Sequence, residues 1–257
     1  MPFQKIESEK LASAVVRQIE NLIVEGVLRP GERLPSEREL SERLAVSRPS
    51  LREAVAELQQ EGLLTTRAGS GIFVAEVLGS AFSPALIRLF ARNDQAVFDY
   101  LAFRRDLEGM AAERAAKMGS DTDLKVIDAI LTRMETAHGK RNPADEAALD
   151  AQFHMAIVEA SHNIIMLHMM RAMFDLLSEG VFYNRQIMFR NRSTREALLE
   201  QHRAINAAIQ ARDGFAARAA VAAHMDFVEV ALTELRKAER HEALARLRLQ
   251  HQSAKAP

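Results

Sequence analysis

Cysteine is absent from this chain of 257 residues, so it can form neither a disulfide framework nor a thiolate site. No run of about 18 apolar residues is present, which excludes a typical transmembrane helix. No apolar segment follows a basic start at the N-terminus, so we expect no secretory signal. These absences lead us to expect a soluble, cytoplasmic protein with no membrane partner.

An excess of positive charge is also missing. The formal net charge is −1, and residues 1–75 hold ten Lys and Arg against eleven Asp and Glu. Binding to a polyanion would therefore depend on where the positive side chains lie. Hydrophobic residues make up 48% of the chain and strand-like runs are scarce. The length suffices for two domains, and we predict a mostly α fold.

Residues 31–74 contain the most informative pattern. Ser36, followed three residues later by Glu39, forms a capping box that predicts the start of a short helix. Ser47 is the expected N-cap of a second helix. Residues 45–46 leave room only for a tight turn between the two. This spacing predicts a helix-turn-helix, which places its second helix in the DNA major groove.

The residues that follow predict a wing. Leu51, Val55 and Leu58 give the second helix a buried apolar stripe. The runs LLTTR and GIFVA are β-type, and a glycine-rich tip at residues 68–71 joins them into a hairpin. The pattern as a whole predicts a winged helix-turn-helix. The alternative interpretation is a helical hairpin that packs on a partner protein.

Three arginines are candidates for DNA contacts. Arg48 lies at the N-terminal end of the second helix, and Arg52 lies one turn later, away from the apolar stripe. Recognition helices carry their base-reading and phosphate-binding side chains at such positions. Arg38 lies on the first helix. A single arginine is more often a solvated surface charge, whereas three at these offsets favour a nucleic-acid interface.

Residues 10–75 resemble the DNA-binding domain of the GntR family of bacterial regulators, and specifically its FadR subfamily. The matching motifs are LRPGERLPSEREL, VSRPSLREA, and EGLL with the glycine wing. One helix-turn-helix makes too few contacts for useful specificity, so we expect a homodimer bound to a near-palindromic operator in double-stranded DNA. The resemblance implies that the operator is contacted by Arg38, Ser47, Arg48, Ser50, Arg52 and Gly69.

We divide the chain into four segments. Residues 1–76 form the winged helix-turn-helix domain, and residues 77–95 form a linker with a short helix near residues 85–91. Residues 96–236 form an all-helical bundle of six or seven helices. Residues 237–257 form a basic tail, which we expect to extend the last helix and then fray.

The predicted bundle contains a candidate metal site. Asp150 and His154 lie at i and i+4, on one face of one helix. His202 and His224 lie on two later helices. One carboxylate and three imidazoles can converge on a divalent Zn, Ni, Co, Mn or Fe ion. A histidine alone is more often an ordinary core or surface residue, and we assign no role to His138, His162, His168, His241 and His251.

Residues 96–232 resemble the helical effector-binding domain, of the FCD type, in the same subfamily. The resemblance is carried by FRRDLEGMAAERAA, LDAQFHMAIVEASHN, EQHRAINAAIQARD and ARAAVAAHMDFV. It implies that Arg104, four residues before Glu108, meets the carboxylate of an effector, although Arg105 is adjacent. It also implies that the metal ligands are Asp150, His154, His202 and His224. Within the subfamily, the chain is most similar to regulators of lactate, glycolate and pyruvate metabolism.

These patterns predict a ligand-responsive transcriptional regulator and not an enzyme. We expect the regulator to be a repressor. Its partners would be operator DNA, a small organic acid and a second copy of the chain. One alternative is a metal-dependent, hydrolase-like enzyme fused to a DNA-binding module, with Glu108 or Glu159 as its base. Another is a DNA-binding protein that responds to no effector.

Overall fold

The computed structural model describes residues 11–67, 69–75, 83–140, 142–178, 185–190 and 192–253. It divides into two compact units, Met1–Ala81 and Phe82–Pro257. Ten α-helices, one 3₁₀ turn and one two-stranded sheet account for the regular structure within those ranges. The predicted mostly α fold is confirmed.

The first unit has the helix order of a winged helix-turn-helix. Its elements are α1 (Leu11–Val24), α2 (Glu37–Leu44), α3 (Arg48–Gln60), β1 (Leu64–Arg67) and β2 (Gly71–Val74). The two strands are antiparallel, with Leu64 opposite Val74 and Arg67 opposite Gly71. At the predicted wing tip, Ala68 lies outside the described residues. Gly69 has a φ of +71°, in the region where glycine avoids the Cβ clash.

Local hydrogen bonds explain where α2 and α3 begin. The Ser36 hydroxyl accepts from the Glu39 N–H at 3.3 Å, and the Ser47 hydroxyl accepts from the Ser50 N–H at 3.3 Å. Both predicted N-caps are therefore confirmed. The capping box at α2 is only half formed, because the Glu39 carboxylate accepts instead from Arg43 at 2.6 Å. Charge attraction along the helix has drawn it away from the cap.

The core of the first unit lies between α1, α3 and the wing. Leu51, Val55 and Leu58 of α3 are buried, as the apolar stripe predicted. They pack in one cluster with α1 residues such as Val16 and Ile19. The same periodicity turns the opposite side of α3 towards solvent. The structure therefore leaves one face of the second helix free to meet another molecule.

The second unit is a helical bundle. After a short α4 (Pro84–Phe90), its helices are α5 (Asp94–Met118), α6 (Asp121–Lys140), α7 (Pro143–Ala160), α8 (Ile164–Ser178), α9 (Arg192–Gln210) and α10 (Gly214–Ser253), with a 3₁₀ turn at Arg185–Phe189. The described residues thus contain six α-helices from α5 onwards. Residues 76–82, which include most of the predicted linker before its short helix, lie outside the described residues.

The last helix, α10, extends beyond the predicted end of the bundle segment at residue 236. It continues without a break across residue 236 to Ser253. Neither glycine nor proline interrupts the chain between Gly214 and Pro257, and the segment is rich in good helix formers. From Lys237 to His251 every residue is exposed. Within the described part of the chain, no helix is long and apolar enough to cross a membrane.

The long helices α5 and α10 pack closely because small residues line their contact. Ala112 and Ala116 of α5 and Ala217 of α10 are fully buried. A Cβ added to Gly109 would lie 3.3 Å from the Arg218 Cγ on α10. This close approach brings polar residues of α5 next to those of α10 inside the bundle.

Candidate metal centre and nucleic-acid interface

Four potential metal ligands meet inside the bundle. Asp150 and His154 come from α7, His202 from α9 and His224 from α10, and all four are buried. One ligand atom from each lies within 4.8 Å of all the others. The i, i+4 spacing places the first two on one turn of α7. The structure therefore brings together all four residues that the sequence analysis selected.

The spacing of these atoms suits a single ion. The His202 Nε2 lies 3.3 Å from the His154 Nε2 and 3.1 Å from the Asp150 Oδ1. Two ligands of one zinc-like ion, each about 2.1 Å away at angles of about 90–109°, are about 3.0–3.4 Å apart. The His154 Nε2 to Asp150 Oδ1 distance of 3.8 Å is slightly longer. These separations, and the 4.8 Å limit that includes His224, leave the carboxylate and the three imidazoles close enough to share one divalent ion after small adjustments.

Two partners orient the imidazole rings. The His154 Nδ1 lies 2.6 Å from the Glu108 Oε2 on α5. The His224 Nδ1–H donates to the Gln201 Oε1 at 2.9 Å. Each contact uses the Nδ1 atom and leaves Nε2 for the centre of the cluster. Carboxylate and carbonyl acceptors behind metal-binding histidines fix the tautomer and raise the basicity of the ligand.

Burial prepares two of the histidines for a cation. Burial lowers the pKa of His154 despite the opposing charge of Glu108. Burial, with His202 and His154 nearby, holds the pKa of His224 well below its ordinary value. A lowered pKa favours the neutral imidazole, which is the form that binds metal.

Glu108 stays ionised although it is buried. Burial raises the pKa of its carboxyl, but Arg104 and His154 outweigh that effect and hold the pKa well below its usual range. Arg104 pairs with Glu108 one turn along α5 and is only 2% exposed. The guanidinium also lies over the rings of Phe174 at 5.1 Å and Tyr100 at 5.8 Å. Arg104 thus lies behind His154, linked through Glu108.

The two adjacent arginines occupy different environments. Arg105, which the sequence left as an alternative to Arg104, is partly exposed and pairs with Asp226 at 3.0 Å. A helix rotates by about 100° per residue, so one side chain faces the bundle and the next faces solvent. Only Arg104 lies inside the bundle, beside the cluster of ligands.

Phe153, a residue of the apolar core, packs against two of the candidate metal ligands. Its ring meets His154 edge-on at 5.9 Å between centroids and His202 at 5.2 Å. Phe153 itself is fully buried. Because edge-to-face contacts hold rings at a defined angle, this side chain restricts the rotation of both imidazoles.

The first unit presents its arginines on a separate surface. Arg38, Arg48 and Arg52 are all exposed, as a DNA-reading face requires. Arg38 pairs with Glu42 at 3.3 Å, and Arg52 pairs with Glu37 at 2.8 Å. These intramolecular pairs reduce the net positive charge that the face offers.

The remaining candidates lie around the start of α3 and on the wing. The Ser47 hydroxyl lies 2.9 Å from that of Ser50, so both are at the N-terminus of the second helix. Gly69 is exposed at the wing. All six predicted DNA-contacting residues therefore lie on exposed or partly exposed parts of one unit.

Sequence reasoning did not identify several residues that support these sites. It named Glu108 only as a possible base, and it missed Gln201, the partner of His224. It also missed Arg67 on the wing and Arg33, which lies before α2 and bridges to Phe73 of the wing. Arg67 stacks on Phe73 at 4.4 Å, and the Arg33 Nε lies 3.2 Å from where a Cβ on Gly71 would be. Only the i, i+4 spacing of Arg104 and Glu108 gave a local signal.

A winged helix-turn-helix joined to a helical bundle with a buried ligand cluster defines a two-domain DNA-binding regulator. Residues 11–74 match the model described as bacterial regulatory proteins, gntR family. Residues 99–227 match the FCD domain. The chain belongs to the gntR family and carries an FCD domain, and its similarities are consistent with the FadR subfamily.

Known proteins match this chain over most of its length. The chain is 35% identical over 247 residues to the putative L-lactate dehydrogenase operon regulatory protein of Escherichia coli K12, covering 94% of each. It is 34% identical over 220 residues to the Glc operon transcriptional activator of the same strain, covering 84% of this chain and 87% of the relative. The solved structure of Streptococcus agalactiae GntR matches with a TM-score of 0.51, 26% identity and coverage of 84% and 98%. These relatives are transcriptional regulators, and this chain is a regulator rather than an enzyme.

Proposed function

We propose that this regulator is a homodimer whose occupancy of operator DNA is set by a divalent metal and a small organic acid bound in the bundle. The observation that carries the proposal is the cluster of Asp150, His154, His202 and His224, whose buried ligand atoms lie within 4.8 Å of one another. A buried polar cluster of this kind is costly unless something pairs with it. A bound cation would satisfy all four atoms.

Two groups in the bundle would bind an organic acid, the metal site and the Arg104 side chain. A metal held by the four ligands would supply a positive centre that attracts carboxylate and hydroxyl or keto oxygens. Arg104 offers a guanidinium, which pairs with a carboxylate through two parallel hydrogen bonds. Glu108 engages Arg104 in the structure, so an arriving carboxylate competes with Glu108 for that side chain. Binding of the acid would therefore change contacts on α5.

Regulation follows if the acid prefers one arrangement of the protein. A ligand shifts an equilibrium only as far as its affinities for the two states differ. If the acid replaces Glu108 as the partner of Arg104, it binds more tightly to the arrangement in which Arg104 is released from Glu108. The segment joining the two units would pass the change to the DNA-binding domain, giving a coupling between acid and operator. We expect release from the operator, as in a repressor, and a cytoplasmic site of action.

Operator recognition is assigned to the arginine face of the first unit. Arg48 and Arg52 would contact bases and phosphates from α3, with Arg38 on α2. Ser47, Ser50 and Gly69 would contact the backbone. One such domain makes too few contacts for high specificity, so two copies would read the two halves of a near-palindrome.

The relatives suggest the class of acid. The relative named for the L-lactate dehydrogenase operon covers 94% of this chain. A 2-hydroxy acid such as L-lactate can offer two oxygens to one metal while its carboxylate meets Arg104. We therefore place L-lactate first, followed by glycolate and pyruvate.

Metal content and calorimetry test the bundle site. The protein purified without chelator should contain about one equivalent of metal, and His202→Ala and His224→Ala should lose it. His241→Ala is the matched control, because His241 is an exposed histidine of α10. Titration with L-lactate, glycolate, pyruvate and citrate should give heat with the metal-loaded wild type only. A metal-free wild type that also ignores added zinc, nickel and manganese would contradict the proposal.

Sedimentation and gel shifts test the DNA side. We expect a dimer in free solution and two protomers on one duplex selected from random DNA. Arg48→Ala should weaken that complex by about 5- to 100-fold if the side chain reads a base, without changing the thermal midpoint. A monomer that binds one asymmetric half-site would refute the dimeric arrangement.

A further inference from the structure

An ion pair connects the two helices of the helix-turn-helix. The Glu37 Oε2 on α2 accepts from the Arg52 Nε on α3 at 2.8 Å. The Arg52 side chain is 67% exposed and that of Glu37 is 37% exposed. Pairs this exposed contribute little to folding stability. We propose that Glu37 is a positioning residue for DNA recognition, which holds Arg52 in the geometry needed to read a guanine.

The geometry leaves the useful edge of Arg52 available. A guanidinium donates from a side edge, which includes Nε, and from an end edge formed by Nη1 and Nη2. Glu37 occupies Nε on the side edge. The end edge can then donate in parallel to the O6 and N7 atoms of guanine, the commonest specific contact in the major groove. Glu37 thereby selects which edge of Arg52 meets the base.

The position of Glu37 makes its contribution unusual. The concave surface between α2, α3 and the wing is lined by three arginines, Arg33, Arg52 and Arg67, as well as by Glu37. A carboxylate on a DNA-binding face repels phosphates, so charge alone predicts that its removal tightens binding. If Glu37 positions Arg52, removal of the carboxylate should instead weaken binding to a specific site. The sign of the effect therefore separates the two explanations.

The expected size follows from the freedom of an arginine side chain. Ordering one flexible side chain on binding weakens an association by about 2- to 12-fold. Glu37 removes that penalty before DNA arrives. This inference rests on the proposed assignment of Arg52 to operator reading, and the experiment below distinguishes the failure of one from the failure of the other.

The experiment compares two duplexes of equal length. One is the sequence that the wild-type dimer enriches from random DNA, and the other is its shuffled version. Dissociation constants are measured at one salt concentration for the wild type, Glu37→Gln, Glu37→Ala and Arg52→Ala. The double variant Glu37→Ala/Arg52→Ala and the control Glu53→Ala complete the set. Glu53 is exposed and follows Arg52 on α3, so its removal deletes the same charge.

Positioning predicts a graded result on the selected duplex. Glu37→Ala should bind it about 2- to 12-fold more weakly than the wild type. Glu37→Gln keeps a neutral acceptor for the Arg52 Nε, so its affinity should lie between those of the wild type and Glu37→Ala. Glu53→Ala should not weaken binding, and none of the three should weaken binding to the shuffled duplex. The double variant should equal Arg52→Ala, because Glu37 acts through that arginine.

Other results overturn the inference. Equal or tighter binding of Glu37→Gln and Glu37→Ala to the selected duplex would leave Glu37 as a repelling charge only. Equal losses on both duplexes with a lower thermal midpoint would indicate a role in folding. A double variant weaker than Arg52→Ala would show that Glu37 acts elsewhere. If Arg52→Ala binds like the wild type, the operator-reading assignment fails as well.

Discussion

The Nδ1 atom of His154 lies 2.6 Å from the Oε2 atom of Glu108, deep inside the helical bundle. This contact joins two helices, α7 and α5, and connects a candidate metal ligand to Arg104 through a single carboxylate. It gives the proposed metal site and the proposed acid site a shared residue. A change in the contacts of Glu108 at either proposed site should therefore alter binding at the other.

Replacing Glu108 tests that connection. Glu108→Gln should weaken metal binding by about 10- to 100-fold, because a carboxylate behind a histidine raises its basicity. It should also destabilise the metal-free protein by up to about 3–5 kcal/mol, since the buried Arg104 would lose its ion pair with Glu108. Competition with a metal-sensitive dye measures the first effect, and denaturant unfolding in chelator measures the second.

The control for this variant is Glu113→Gln on the same helix. Glu113 is partly exposed and pairs with Lys117 and Arg218, away from the four ligands. The variant Glu113→Gln should leave metal affinity unchanged. Equal metal affinity in the wild type and Glu108→Gln would show that Glu108 serves only to neutralise Arg104.

Arg104→Lys should separate charge from geometry at the acid site. Lysine keeps a positive charge opposite Glu108 but lacks the planar fork that binds a carboxylate through two hydrogen bonds. We expect L-lactate affinity to fall by about 10- to 100-fold, with metal content retained. Calorimetry on metal-loaded protein gives the value. Arg105→Lys is the adjacent, partly exposed control, and an equal loss of L-lactate affinity there would argue against a specific role for Arg104.

Ala45→Gly should stabilise the DNA-binding domain. Ala45 ends α2 with φ 51° and ψ 40°, a left-handed conformation that costs a residue with a Cβ roughly 1–2 kcal/mol. Glycine removes this cost but loses more entropy on folding. We expect a net gain of up to about 1 kcal/mol. Thermal unfolding of the full chain gives the answer, with the exposed Ala56→Gly on α3 as a control that should destabilise.

The start of α6 should lose stability in acid. Asp123 accepts from the Ser120 N–H at 2.8 Å and the Ser120 hydroxyl at 2.7 Å. Burial raises the pKa of Asp123, but these bonds and His162 outweigh burial, so the net shift is downward. A lowered folded-state pKa gives stability that is present above the unfolded pKa, about 3.9. That stability is lost as pH falls through the folded value.

Asp123→Asn should therefore destabilise the protein by roughly 1 kcal/mol near pH 7, the value of a typical hydrogen bond. The difference from wild type should shrink as pH falls below about 4. Urea unfolding of the wild type and Asp123→Asn at several pH values measures this difference in the free energy of unfolding. Asp121→Asn removes the same charge at an exposed position, and a matching pH profile in that control would assign the effect to surface charge.

Much of the fold was predictable because its signals are local. Helix caps at Ser36 and Ser47 are set by hydrogen bonds within three residues, and the breaks between helices fall where Gly119 and Pro143 interrupt the pattern. The apolar stripe of α3 follows from helical periodicity alone. The half-formed capping box at Glu39 was missed, although Arg43, which competes for the same carboxylate, lies only four residues further along α2.

The amino-acid sequence by itself determined the order of the helices, the exposed arginines of the recognition helix and the identity of four residues able to bind a metal. Only the tertiary structure decided that those four meet in one buried place. It also supplied the partners that neither spacing nor resemblance revealed, with Glu108 behind His154, Gln201 behind His224 and Glu37 beside Arg52. Periodicity tells which side of a helix is buried, whereas the packing of separate helices determines which side chain it meets there.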